Sequence, residues 1–221
     1  MFINFEGIDG SGKTTQVELL IARLQKEGYP VQTLHSPQYG KKSAGPVEEY
    51  LSGAWGMLTE VSPQQAAIFF AIDHYDANFQ ITKWLAQGNI VVTDRYLWSN
   101  FGHQGGKIKD KRAREKFFRW LYDLEISIFG VCKPSISFFM NVSPEKSFEL
   151  VALANPAKKI KQDIHEQNLS YLQDSWKSYQ HTISLFPQDF CVIECMKENS
   201  MLCKEDIHEH IWDTLRTKIQ R

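Results

Sequence analysis

The hydrophobic pattern along the chain switches repeatedly between two periods. Short, largely apolar runs at Phe2 to Phe5, Val31 to Leu34, Ile90 to Thr93, Ile136 to Met140 and Phe190 to Ile193 read as strands. The β-branched run at Ile90 to Thr93 marks a central parallel strand, because a strand covered on both faces has no polar side to alternate with. Between these runs apolar residues recur at three and four. Val17, Leu20, Ile21 and Leu24 define a helix that starts at Thr14 and is stopped by Gly28 and Pro30. Ser62-Pro63 opens another, which runs to Leu85 and ends at Gln87-Gly88-Asn89; the proline sits in a first turn, where no N–H donor is needed. Further helices are predicted over Lys111 to Leu124, from Ser143-Pro144-Glu145, up to about Ser184, and from about Lys204.

Strands alternating with helices predict an α/β fold with a parallel sheet covered on both faces, in one domain over residues 1–221. Ligands of such sheets bind at the carboxyl ends of the strands. The residues following Phe5, Leu34 and Thr93 are therefore the candidates for chemistry.

Composition narrows this little. A hydrophobic fraction of 43% suits a folded globular protein, and a formal net charge of −1 gives no basic excess of the kind a nucleic-acid binder carries. Cys132, Cys191, Cys195 and Cys203 form no C-x-x-C pair and have no histidine at metal-ligand spacing, so reduced thiols are expected. No apolar stretch is long enough to span a bilayer, and Met1 to Phe5 runs directly into a glycine-rich loop rather than a signal peptide. The expectation is a soluble cytoplasmic protein without nucleic-acid or membrane partners.

The strongest chemical signal is Gly7-Ile8-Asp9-Gly10-Ser11-Gly12-Lys13-Thr14, which matches G-x-x-x-x-G-K-[ST] between a strand and a helix. Glycines let backbone N–H groups curl round phosphate oxygens, and the helix N-terminus adds a favourable dipole. Gly7, Gly10, Ser11, Gly12, Lys13, Thr14 and Thr15 are assigned to the phosphates of ATP, with Lys13 neutralising charge and Thr14 offering a hydroxyl to Mg2+. No N-K-x-D segment accompanies the loop, which argues against a GTPase switch.

Three segments, the loop with Asp9 inside it, Thr93-Asp94-Arg95-Tyr96-Leu97-Trp98-Ser99-Asn100, and Phe70-Ala71-Ile72-Asp73-His74, together resemble the thymidylate kinase family. Lys133-Pro134, Ser143-Pro144-Glu145 and Asp163-Ile164-His165-Glu166 follow in the family's order. The resemblance implies a three-layer P-loop NTPase fold on a five-stranded parallel sheet, with a short lid at about 155–162. It implies a homodimer that uses ATP and Mg2+ to phosphorylate dTMP. Lys13, Arg95, Asp94, Lys158 and Lys159 would be catalytic, and Thr14 and Asp94 would serve the metal. The acceptor nucleotide would meet Asp9, Pro37, Tyr39, Phe70, His74, Arg95, Ser99, Asn100, His103, Gln104 and Asp163. Asp9 would contact the 3′-hydroxyl and Arg95 would fork the acceptor phosphate. Phe70 would stack on the base, and Asn100 and Gln104, in a loop after the Asp-Arg pair, would read its edge.

The chain departs from the family's pattern at several points. His74 stands where an arginine is usual, Ser36-Pro37-Gln38-Tyr39 lacks a phosphate-holding arginine, and His103 replaces a tyrosine near the sugar. Lys41 and Lys42 are candidates to replace the missing charge. Neither the phosphate loop nor the lid contains an arginine; the lid offers Lys158, Lys159 and Lys161. Two alternatives therefore accompany dTMP kinase activity: a kinase for another pyrimidine deoxynucleotide or a nucleoside, and a catalytically weak nucleotide-binding regulator.

Overall fold

A computed structural model describes residues 1–57, 60–154 and 169–219. The five expected strands form one sheet: β1 (Phe2–Glu6), β2 (Val31–His35), β3 (Ile90–Asp94), β4 (Ile136–Asn141) and β5 (Phe190–Glu194). Their order is β2-β3-β1-β4-β5 and every pairing is parallel. Order reverses beside β1, so a crevice opens at the carboxyl ends of β1 and β3.

Side-chain alternation along β1 divides the two covering layers. Ile3 and Phe5 face α1 (Lys13–Lys26) and α8 (Lys204–Ile219), packing with Val17, Leu20, Leu24, Ile211 and Leu215. Phe2 faces the opposite layer, where it meets α3 (Pro63–Ala86), α4 (Leu97–Gly106) and α5 (Lys111–Tyr122) through Ala77, Ile81, Leu97, Phe101 and Leu121. Helix α7 (Leu169–Leu185) closes that layer with Leu172 and Tyr179 on Ile8 and Phe139. Ser62 caps α3 in a reciprocal box with Gln65, which confirms the start read from Ser62-Pro63. Among the described residues, the remaining α-helices are α2 (Gly45–Leu51) and α6 (Pro144–Ala154).

Helix α2 was not among the expected elements, and three further features depart from them. The residues after the Asp-Arg pair form α4 and not a loop. Its glycines look like loop punctuation, yet they exist because α7 lies against them: a Cβ on Gly106 would come 2.9 Å from the Ser175 backbone nitrogen, and one on Gly102 would overlap the Tyr179 ring. Helix α5 stops at Tyr122 and widens into a π-helical segment, Asp123–Ile128, where an α-helix was expected to Leu124. A small antiparallel hairpin, β6 (Met196–Lys197) and β7 (Ser200–Met201), follows β5 and brings Met201 within 3.8 Å of where a Gly12 Cβ would stand. The expected lid at 155–162, with Lys158, Lys159 and Lys161, and Asp163 beyond it, lies outside the described residues.

Gly102→Ala tests the α4–α7 contact. Its gain in helix propensity is about 1 kcal/mol, whereas overpacking against Tyr179 costs about 1–3 kcal/mol, so urea unfolding should show net destabilisation. Gly45→Ala, which meets nothing within 4 Å, should be neutral or slightly stabilising in the same measurement.

Candidate active site

The phosphate loop leaves β1 through a backbone that only glycine adopts easily. Gly7 has φ 146°, and a Cβ there would sit 2.8 Å from Ser11 Oγ and 3.1 Å from the Met140 carbonyl oxygen. Gly12, at φ 83°, caps α1 with no side-chain acceptor for the first-turn N–H groups. Those donors and the positive end of the helix dipole face the cleft. Lys13 is buried among them and donates to the Ile8 carbonyl at 2.7 Å and to Ser11 Oγ at 3.2 Å. Burial, helped by Arg95, lowers its amine to about 8 against the pull of Asp9, Asp94 and Glu6.

At the end of β3, Asp94 accepts from the Thr14 hydroxyl at 2.6 Å through Oδ2, while its buried Oδ1 has no hydrogen-bond partner. The next residue, Arg95, holds φ 67°, a left-handed conformation rare outside glycine and costing roughly 1–3 kcal/mol. Its surroundings over-determine it. Arg95 N donates to the Phe5 carbonyl at 3.0 Å, and the guanidinium donates to the Gly7 carbonyl at 3.0 Å and pairs with Asp9. The guanidinium also donates to His103 Nε2 at 2.8 Å. That bond makes Nε2 an acceptor, so the other nitrogen, Nδ1, carries the proton facing Tyr171 Oη at 2.7 Å.

Beneath this pair lies Glu6, fully buried at the end of β1. It accepts from Asn4 Nδ2 at 2.8 Å, from the Tyr96 and Ser99 N–H groups at 3.1 Å, from Ser99 Oγ at 2.6 Å and from the Tyr179 hydroxyl at 2.9 Å. Three of those donors, two of them backbone N–H groups, belong to the start of α4, so a carboxylate from the sheet caps the helix in place of a local side chain. Burial raises the Glu6 carboxyl above the ordinary range, opposed by Ser99, Asn4, Arg95 and Tyr179.

A cleft of about 620 Å³ runs from the phosphate loop past Arg95 to α3 and α4. It brings together Asp9, Pro37, Tyr39, Phe70, His74, Arg95, Ser99, Asn100, His103 and Gln104 with Gly10, Gly12, Lys13, Thr14, Thr15 and Asp94. Gly7 and Ser11 lie behind this lining, in the loop's support. Phe70 and His74 share one face of α3, and Phe70 meets Tyr50 edge-on at 6.3 Å. Asn100 and Gln104 reach the cleft from α4, one turn apart, which corrects the expected loop. Lys41 is turned to Gln38 Oε1 at 2.6 Å and Asp76 at 3.2 Å, and neither it nor Lys42 lines the cleft. The Ser36–Gln38 loop is instead anchored by buried Asp73, which accepts from Ser36 Oγ at 3.0 Å and from the Gln38 N–H at 3.2 Å.

His35, Leu51, Leu150, Val151 and Tyr171 also line the cleft and were not singled out by sequence. His35 ends β2, and the strand-end rule that found Asp94 applies equally to it. The others carry no local signal, since tertiary packing alone brings α2, α6 and α7 to the crevice.

A parallel sheet, a glycine loop feeding a helix N-terminus, a buried lysine and a Thr–Asp pair at the neighbouring strand define a P-loop phosphotransferase. The thymidylate kinase family model matches residues 5–209, and the chain belongs to that family. It is 27% identical to the thymidylate kinase of Caldanaerobacter subterraneus subsp. tengcongensis over 202 residues, covering 89% of this chain and 88% of that one. It is 33% identical to the thymidylate kinase of Mycobacterium tuberculosis over 150 residues, 67% of this chain and 69% of that one. A Thermoanaerobacter sp. thymidylate kinase is 26% identical over 216 residues, 97% of each chain. Among the described residues, no helix is long and apolar enough to cross a membrane.

A phosphate bound against Lys13 would carry a pH dependence set by its lowered amine. The charged form, which attracts ATP, is present below about 8 and is lost above it, so the Kd for ATP should rise as pH climbs through that value. Lys13→Arg, charged throughout, should remove this step; calorimetry on both proteins from pH 6.5 to 9.5 checks the pair.

Proposed function

We propose that the protein transfers the γ-phosphoryl group of Mg·ATP to dTMP, giving ADP and dTDP. The observation that carries this reading is one continuous cleft with phosphate-binding chemistry at one end and an aromatic and amide pocket at the other. The donor phosphates lie on Gly7 to Thr15, with Lys13 against their charge. The acceptor phosphate takes the guanidinium of Arg95, whose fork suits a phosphate better than a point charge does. Asp9, already on that guanidinium, meets the 3′-hydroxyl, while Phe70 stacks on the base. Ser99, Pro37, Tyr39, His103 and Gln104 complete the acceptor walls. An ionised phosphate acceptor needs no general base, so catalysis is positioning and charge stabilisation.

The site suits Mg2+. The Thr14 hydroxyl and the Asp94 carboxylate are hard oxygen donors, and the unpartnered Asp94 Oδ1 is the atom available to a cation or its water. Bound with the ATP phosphates, Mg2+ supplies charge neutralisation at the transferring group. Lys158 and Lys159 are the candidates for completing the charge balance and Asp163 for serving the acceptor; all three lie outside the described residues. A cytoplasmic setting belongs to this reading, supported by four cysteines that form no disulfide.

A homodimer also belongs to it. Helix α3 exposes Ile68, Ile72, Tyr75 and Phe79 at helical spacing, with Phe79 62% accessible, an apolar stripe that a two-fold copy would cover. Sedimentation at micromolar concentration should give a dimer that Phe79→Glu dissociates; a monomeric wild type would refute this assembly.

His74 and His103, two imidazoles on the acceptor side of the cleft, favour one second reading, a different pyrimidine acceptor. A coupled assay across nucleoside monophosphates decides. The expected outcome is kcat/KM for dTMP on the order of tenfold or more above dCMP and the purine deoxynucleotides. Equal turnover of all acceptors would count against the dTMP reading, and ATP binding without diphosphate formation would identify a regulator.

A further inference from the structure

His74 places an imidazole deep in the acceptor pocket, 1% exposed, and the fold answers it with a residue no motif marks. Glu125, from the π-helical segment Asp123–Ile128, is completely buried and accepts from His74 Nδ1 at 2.7 Å through Oε2. Its other oxygen, Oε1, accepts from Asn100 Nδ2 at 2.9 Å. The same amide nitrogen also donates to the Ala67 carbonyl at 2.9 Å. Both neighbours of that nitrogen are acceptors only, so the Asn100 amide has one possible orientation. Its Oδ1 is left buried, without a hydrogen-bond partner, on a residue that lines the cleft.

We infer that Glu125 is a positioning residue that sets base specificity: it turns His74 and Asn100 so that the pocket offers an N–H donor at His74 Nε2 and a carbonyl acceptor at Asn100 Oδ1. That pair complements the 4-oxo group and N3–H of thymine or uracil. A 4-amino pyrimidine presents the reverse pattern, an amino donor and a bare N3, and would leave buried groups opposed. The inference rests on the dTMP reading above.

Nε2 donates with Nδ1 also protonated only while His74 is an imidazolium. Burial acts to lower the imidazole, but Glu125 more than offsets this, with Asp73 on the same helix and Glu6 from β1 acting in the same direction. Another titratable neighbour, the Tyr96 ring 5.1 Å away, is itself held neutral by burial. His74 therefore keeps its proton above the ordinary histidine range, and the donor disappears as pH rises through that raised value.

Glu125→Gln is the test, read by acceptor kinetics and by ¹⁵N NMR of the imidazole. The variant should raise the KM for dTMP on the order of tenfold with kcat little changed, narrow the preference for dTMP over dCMP, and lower the His74 titration midpoint. The KM for ATP, set at the far end of the cleft, should hold. In the wild type, His74 should titrate above the range of an ordinary histidine, and the KM for dTMP should rise with alkaline pH; this readout stands even if the variant fails to fold. A wild-type His74 that titrates at or below the ordinary histidine range, or a folded Glu125→Gln with unchanged KM, preference and pH profile, overturns the inference. If the wild type shows no preference for a 4-oxo pyrimidine monophosphate, the dTMP reading falls and takes this one with it; if that preference is present, a silent variant defeats the role of Glu125 alone.

Discussion

The buried carboxylate of Glu6 is the constraint on which the cleft depends. It stands where β1 ends and the phosphate loop begins, and it gathers hydrogen bonds from β1, from the first turn of α4 and from Tyr179 of α7. A carboxylate in that dry corner is tolerable only if its lone pairs are all met, and five donor contacts meet them. The consequence is geometric. Helix α4 starts at one defined place over the sheet, which fixes Ser99, Asn100, His103 and Gln104 relative to the phosphate loop. The strained Arg95 sits between the two, tied to Asp9 and Gly7 on the loop side and to His103 on the helix side.

The same logic of buried charge in matched sets repeats outward. Lys13 is neutralised in part by Asp9, Asp94 and Glu6, and Asp73 gathers the Ser36–Gln38 loop. Each set costs desolvation and gains orientation, a trade that favours positioning over stability. For phosphoryl transfer that is the useful trade, since the reaction needs two phosphates held in line among fixed dipoles more than it needs proton chemistry.

Much of this was legible in the sequence. The strand runs, the α1 periodicity and the Ser62 cap have purely local causes, and each element appears where its pattern put it. The phosphate loop was legible for a stronger reason: its spaced glycines, Lys13 and Thr14 specify one strand–loop–helix backbone, and few sequences fit it. Asp94 and Arg95 were readable from their position at a strand end. What escaped has non-local causes. The glycines of α4 resembled a loop because their meaning lies in α7, some seventy residues away by sequence. Glu125 falls one residue past the helix read to Leu124 and carries no motif, and the π-helical widening after Tyr122 is what brings it to His74 and Asn100. Lys41 looked like a spare phosphate ligand until Gln38 and Asp76 were seen to hold it.

The central claim is that one cleft holds both nucleotides, with their phosphates meeting between Lys13 and Arg95. A crystal structure with a bisubstrate ligand, adenosine and thymidine joined by a five-phosphate chain, tests it most directly. The account predicts phosphates running from the Gly7–Thr15 loop to Arg95, and thymine on Phe70 with its edge at His74 Nε2 and Asn100 Oδ1. A thymidine end lying outside the α3–α4 pocket, or phosphates that bypass Arg95, would contradict it.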